Sequence, residues 1–191
     1  MGIDSTLHLA LQRHASTPSR VVHGVSLGLS CADDDKMQLE FNIDATADAV
    51  VIPLPTSSTF KDGLWRHTCF ELFARAAHGA YREFNFSPST EFAIYDFADY
   101  RAAMTPISPS DPPSIQPRQG GLSLHINLPL TLLRPAGALA CQIGIAAVIE
   151  ERDGTLSYWA LRHPQEKPDF HHRDGFLINW PLRGAAGEHR T

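Results

Sequence analysis

An antiparallel all-β fold with little helix, two sheets packed as a jelly-roll or immunoglobulin-like sandwich, is what this sequence predicts. Three features point to it. Apolar residues recur at a period of two along most of the chain, clusters of turn residues separate the runs, and no apolar stripe at helical spacing extends over a useful length.

Taken in order, residues 22–31 alternate loosely, and the acidic stretch at 32–35 breaks the pattern. Residues 36–45 alternate well: Met37, Leu39, Phe41 and Ile43 fall on one face, Gln38, Glu40, Asn42 and Asp44 on the other. Further strand-like runs lie at 64–74, 81–87, 91–97, 122–130, 142–151, 155–161 and 175–180. Arg152, Asp153 and Gly154 have the composition of a hairpin turn between two of them. Residues 105–120 carry five prolines in sixteen positions, which predicts a surface loop. Residues 98–104 predict one helical turn at most, with Asp99, Tyr100 and Arg101 fixing a connection by hydrogen bonds. The whole reads as one domain over residues 1–182, followed by a loose C-terminal tail at 183–191.

Composition narrows the function classes. Hydrophobic residues are 43% and charged residues 19%, enough for a core without metal or disulfide staples. A net charge of −5 and no basic run argue against a nucleic-acid partner. Cys31, Cys69 and Cys141 are odd in number and widely spaced, so free thiols are expected. No basic-then-apolar leader and no stretch near 20 apolar residues occurs, so the expectation is a cytoplasmic protein with no membrane partner. Ten histidines are present without a zinc-type spacing, and no metal site is predicted.

The segment 64–87 carries the most information. Read as a strand, it places Trp65, His67, Cys69, Glu71 and Phe73 on one face and Phe70 and Leu72 on the other. The partner strand groups Tyr81, Glu83 and Asn85 against Phe84 and Phe86. A three-residue loop, Ala77 to Gly79, pairs Phe70 with Phe86 and Leu72 with Phe84, and sets Glu71 opposite Asn85; a two-residue turn would mix the faces. The non-core face then holds Trp65, His67, Glu71, Glu83 and Asn85, a flat ring with two carboxylates and an amide. Such a set suits a sugar, whose apolar face stacks on a ring while its hydroxyls meet polar groups. The same residues also describe a solvated outer sheet face. Glu71 and Glu83 further resemble a glycosidase carboxylate pair, but no nucleophile, phosphate-loop or dinucleotide motif accompanies them, and binding is expected rather than catalysis.

The segments LWRHTCFELF (64–73), YREFNFSPS (81–89), YDFADYR (95–101), SYWALRHP (157–164) and PDFHH (168–172) together resemble the small bacterial DOMON-like proteins. These belong to the wider group of DOMON domains and family 9 carbohydrate-binding modules. The resemblance runs from about Leu9 to Trp180 and implies a β-sandwich whose ligand is a sugar or haem. The spacing of Trp65, Glu71, Glu83 and Asn85 is similar to the sugar-binding strands of the family 9 modules. Those modules hold a sugar between two tryptophans; at the second place this sequence offers Phe170, His171 or His172. For the haem alternative, the resemblance implies an axial pair of Met104 or Met37 with His163. No cofactor is otherwise expected.

Overall fold

A computed structural model describes residues 6–33, 35–46 and 48–181. The tail expected at 183–191 lies outside the described residues. Twelve strands run β1 (Leu7–Arg13), β2 (Val22–Asp33), β3 (Lys36–Ala45), β4 (Cys69–Ala76), β5 (Tyr81–Phe86), β6 (Phe92–Phe97), β7 (Thr105–Pro106), β8 (Ser114–Arg118), β9 (Ser123–Pro129), β10 (Ala140–Glu150), β11 (Leu156–Ala160) and β12 (Ile178–Asn179). Helix is confined, among the described residues, to single 3-10 turns such as Leu64–Arg66 and Arg173–Gly175.

The alternation of 36–45 becomes β3 with the same bounds, and Met37, Leu39, Phe41 and Ile43 are all buried. The hairpin register also forms as the face argument requires: Phe70 opposes Phe86, Glu71 opposes Asn85, and Leu72 opposes Phe84. Ala76 N–H donates to the Ala80 carbonyl (2.9 Å) across the three-residue loop, where Gly79 has a φ of 108°. A side chain rarely adopts that backbone.

Two separate sheets are not what the hydrogen bonds describe. The pairings, all antiparallel, follow one path, β7-β6-β5-β4-β10-β11-β1-β2-β3-β9-β8, with β12 added beside β10. Strand β1 makes the join: Leu7 to Leu11 pair with β2, while Gln12 and Arg13 pair with β11. The result is one strongly curled sheet. Its two halves bring their inner faces together, with the Phe41 and Phe70 rings 4.7 Å apart within a core that also holds Leu72, Phe84 and Phe86. Burial of these rings supplies the driving force for the curl, each full side chain contributing roughly 1.5–3 kcal/mol.

Several boundaries differ from expectation. The run at 64–74 becomes a strand only from Cys69, because Gly63 (φ 77°) starts a 3-10 turn over Leu64–Arg66. The proline-rich stretch contains β7 and the edge strand β8, where Pro117 costs no ladder bond on the open side. At 98–104 no helical turn forms. Arg101 and Ala103 take left-handed φ values of 51° and 52°, in a tight turn closed by Ala102 N–H to the Asp99 carbonyl (3.0 Å). Of 175–180 only Ile178–Asn179 pairs, and Gly175 ends a 3-10 turn.

The expectation that the second face of the hairpin is open is corrected. Strand β5 is buried along its whole length. A second apolar cluster, including Cys69, Phe73, Tyr81, Tyr95, Phe97 and Phe176, sits on the face opposite the core, with Trp65 and Phe170 packed at its margin. The segments after β6 and β11 cover that face.

Candidate ligand cavity over strands β4 and β5

The residues beneath this cover share one sheet face by register. Glu83 opposes Phe73 on β4 and Tyr95 on β6, Glu71 opposes Ala146 on β10, and Val148 opposes both Cys69 and Tyr158. Glu71 and Glu83 therefore lie diagonally on adjacent strands. Around them the 3-10 turn delivers Trp65, the turn after β6 delivers Arg101 and Met104, and the segment after β11 delivers Pro168, Phe170 and His171. With Phe97, Val148 and Tyr158 these residues enclose a cavity of about 440 Å³, within the range of small-molecule sites.

The floor is polar and buried. Glu71 is 3% exposed and Glu83 5%, while Asn85 is wholly buried. Asn85 Nδ2 donates to Glu83 Oε1 (2.7 Å), and the Cys69 thiol donates to Asn85 Oδ1 (3.7 Å). Burial pushes the Glu83 carboxyl up to about 7, against the Asn85 hydrogen bond and the Arg101 charge, which favour ionisation. Burial also drives Glu71 well above the ordinary carboxylate range. The Glu83 charge adds to that push, and Arg101 opposes it. Glu71 accepts no hydrogen bond from the described residues, and its carboxyl lines the cavity.

The cover is tied down by a second network. Arg101 Nη2 donates to Asp169 Oδ1 (2.9 Å), Tyr100 Oη donates to Asp169 Oδ2 (2.6 Å), and the His171 N–H donates to Asp169 Oδ1 (3.1 Å). Burial disfavours the Asp169 charge, but the Tyr100 and Arg101 hydrogen bonds outweigh it and hold this carboxyl low. The Arg101 backbone N–H donates to Tyr81 Oη (3.1 Å), leaving the single phenolic hydrogen for His171 Nδ1 at 2.8 Å. The proton of His171 is thereby assigned to Nε2, which lies 3.8 Å from Glu83 Oε2. Burial, helped by the Arg101 charge, lowers His171 to about 4 and keeps it neutral.

Of the residues expected at the site, Trp65, Glu71, Glu83, Phe170 and His171 meet at this cavity. Asn85 lies behind it as the partner of Glu83. His67 does not reach it: without strand geometry before Cys69, its exposed ring turns to Glu150 Oε2 (2.8 Å). His172 falls on the other side of His171, lining a neighbouring cavity of about 490 Å³ with Tyr81, Tyr100 and Phe176. Arg101, Tyr158 and Pro168 line the site without having been singled out for it, and Met104, expected there only as a haem ligand, lines it too. Arg101 and Tyr158 lie within the motifs YDFADYR and SYWALRHP, where they read as structural.

Met37 is sealed in the core. Met104 is half-exposed at the cavity, whereas His163 donates through Nε2 to the Gln12 carbonyl (2.7 Å) and is not among the cavity's lining residues. The described residues hold no cluster of three or more His, Cys, Asp or Glu side chains arranged for a metal. No described helix is long and apolar enough to cross a membrane.

A larger groove of about 830 Å³ runs over the outer face of β1, β2, β3 and β9, lined by polar residues such as Gln38, Glu40, Asn42, His125 and Asn127. It has no Phe, Tyr or Trp ring, and so lacks the flat platform of the cavity over β4 and β5.

No protein-family model matches the chain, and no curated protein matches it. Among solved structures the chain is similar to a candidate carbohydrate-binding protein from Bacteroides uniformis ATCC 8492, with a TM-score of 0.64 at 12% identity over 90% of this chain and 84% of that one. At that identity the likeness is one of fold: an almost all-β chain built on a curled antiparallel sheet.

Proposed function

We propose that this protein is a DOMON-like carbohydrate-binding domain over residues 1–182, which holds its ligand noncovalently in the cavity above β4 and β5. One observation carries the reading: Trp65, Tyr158 and Phe170 rings share a cavity with the buried carboxyls of Glu71 and Glu83 and with Arg101. Rings cover the apolar face of a pyranose, carboxyls and guanidinium take its hydroxyls, and the buried floor strengthens each hydrogen bond. The similarity in fold to a candidate carbohydrate-binding protein supports it. Three cysteines without a disulfide agree with a cytoplasmic setting. Calorimetry and tryptophan fluorescence against mono- and disaccharides test the reading. Saturable binding that Trp65→Ala abolishes is expected, and a cavity indifferent to every sugar offered would end it.

A second reading has a specific observation in its favour. Burial holds Glu71 toward its acid form while Glu83, raised to about 7, still ionises near neutrality, and an acid beside a carboxylate is what glycoside hydrolysis uses. New reducing ends released from an oligosaccharide, and lost in Glu71→Gln and Glu83→Gln alike, would replace binding by catalysis.

A further inference from the structure

Glu71 is a buried carboxyl aimed into a cavity, with no donor among the described residues. Every other buried polar group around it is engaged: Glu83 by Asn85, Asn85 by Cys69, His171 by Tyr81. Water or a ligand entering the cavity can supply Glu71 with its donor, and a charged donor makes the stronger bond. The charges facing the cavity are those of Glu71 on β4, Glu83 on β5, Arg101 after β6 and Asp169 after β11. The guanidinium is directed to Asp169 at 2.9 Å, though its charge still favours ionisation of both carboxyls, and the buried His171 is neutral. Two carboxyls therefore face one guanidinium that Asp169 already pairs, beneath the rings of Trp65, Tyr158 and Phe170. Carboxylate below and aromatic faces beside is the arrangement that holds an ammonium, through charge-assisted hydrogen bonds and cation–π attraction.

We propose that the cavity's ligand is an amino sugar with a free protonated amine, and that the Glu71–Glu83 pair recognises the ammonium. The inference rests on the carbohydrate-binding reading and names the ligand class within it. It carries a proton balance. Before a ligand binds, the pair is held toward its protonated form, because burial disfavours its charge. When R–NH₃⁺ enters, a carboxyl ionises to meet it, the ion pair forms, and the carboxyl proton leaves to solvent. Affinity then rises with pH through neutrality until the amine itself loses its charge.

Calorimetry at pH 7 in two buffers of different ionisation enthalpy tests this with D-glucosamine and its β-1,4-linked trimer. D-Glucose, cellotriose and the N-acetylated forms serve as controls. The amine forms should bind roughly tenfold or more tighter than the others, with about one proton released per site. Glu71→Gln should reduce the amine forms to the level of glucose. Equal affinity for glucose and glucosamine without proton release overturns the amine and leaves carbohydrate binding standing. Preference for an N-acetylated form overturns it as well. Silence from every sugar overturns both. The proton count is read on the unaltered protein, so it decides even where a variant folds poorly.

Discussion

Replacing Glu83 by Gln removes a charge from the cavity floor and keeps the acceptor that Asn85 Nδ2 uses at 2.7 Å. The magnitude follows from linkage. The carboxyl titrates near 4.5 in an open chain and is pushed up to about 7 in the folded protein, chiefly by burial. A carboxyl raised on folding stabilises the native state fully below about pH 4.5, and that contribution is lost as pH rises through about 7. A difference of roughly 2.5 pH units at about 1.36 kcal/mol each is about 3 kcal/mol. The unaltered protein should therefore lose about 3 kcal/mol relative to Glu83→Gln between pH 4 and pH 8. The variant should match it at pH 4 and exceed it at pH 8. Glu71 adds in the same direction, since its own carboxyl is raised partly by the Glu83 charge. Urea unfolding at half-unit steps, with m-values compared, measures the gap. Two stability curves running parallel from pH 4 to pH 8 would refute the buried-charge argument, and a variant less stable at pH 8 would reverse its sign.

Other outcomes follow from packing. Phe84→Ala opens a void in the core beside Phe86, whose ring stacks on it at 6.2 Å, and should cost about 3–5 kcal/mol. Trp65→Ala removes a ring at the cavity margin, so chemical denaturation should show a smaller loss than for Phe84→Ala, whereas sugar titration should show the larger effect. Gly144→Ala would set a methyl 2.3 Å from Phe176 Cδ1, forcing a buried ring off its stack with Phe73; a loss of about 1–3 kcal/mol is expected in the same assay. A thiol count in denaturant without reductant should give three. In the native state Cys69 should react slowest, because burial and the nearby Glu71 raise its thiol pKa.

What the sequence made legible was set by pairs of residues that must be buried together. Strand β3 could be bounded because one face is apolar at every second position, and the β4–β5 register could be chosen because any slip would separate Phe70 and Leu72 from Phe86 and Phe84. Trp65 was placed on the correct side of the sheet for an incorrect reason. Alternation was extended back past Cys69, although Gly63 turns the chain there; the same extension put His67 at the site, where it does not go. The joining role of β1 was hidden for a different reason. Leu7, Leu9 and Leu11 do alternate, but only Leu11 is buried, so the strand offers no one-sided apolar face to match.

The cavity itself depends on contacts that no local pattern reports. Its cover is held by Arg101 with Asp169, 68 residues on, and by Tyr81 with His171, 90 residues on. Polar residues on a strand read as solvated, yet Arg82 is buried and bidentate to Asp96 at 2.6 and 2.8 Å, with a third bond to the Leu132 carbonyl at 2.9 Å. The readable signal was elsewhere. Once the register is fixed, Phe73, Tyr81, Tyr95 and Phe97 fall beside Glu71 and Glu83 on the face opposite the core, with Tyr81 stacked on Phe97 at 4.7 Å. A strand pair carrying large rings on both faces is covered on both. Two carboxyls set among those rings therefore had to be buried as well. Arg75, the one Lys or Arg on that face of either strand, donates to Gln142 (3.0 Å), so protonation, the Asn85 amide that serves Glu83, or a donor entering the cavity is what satisfies them.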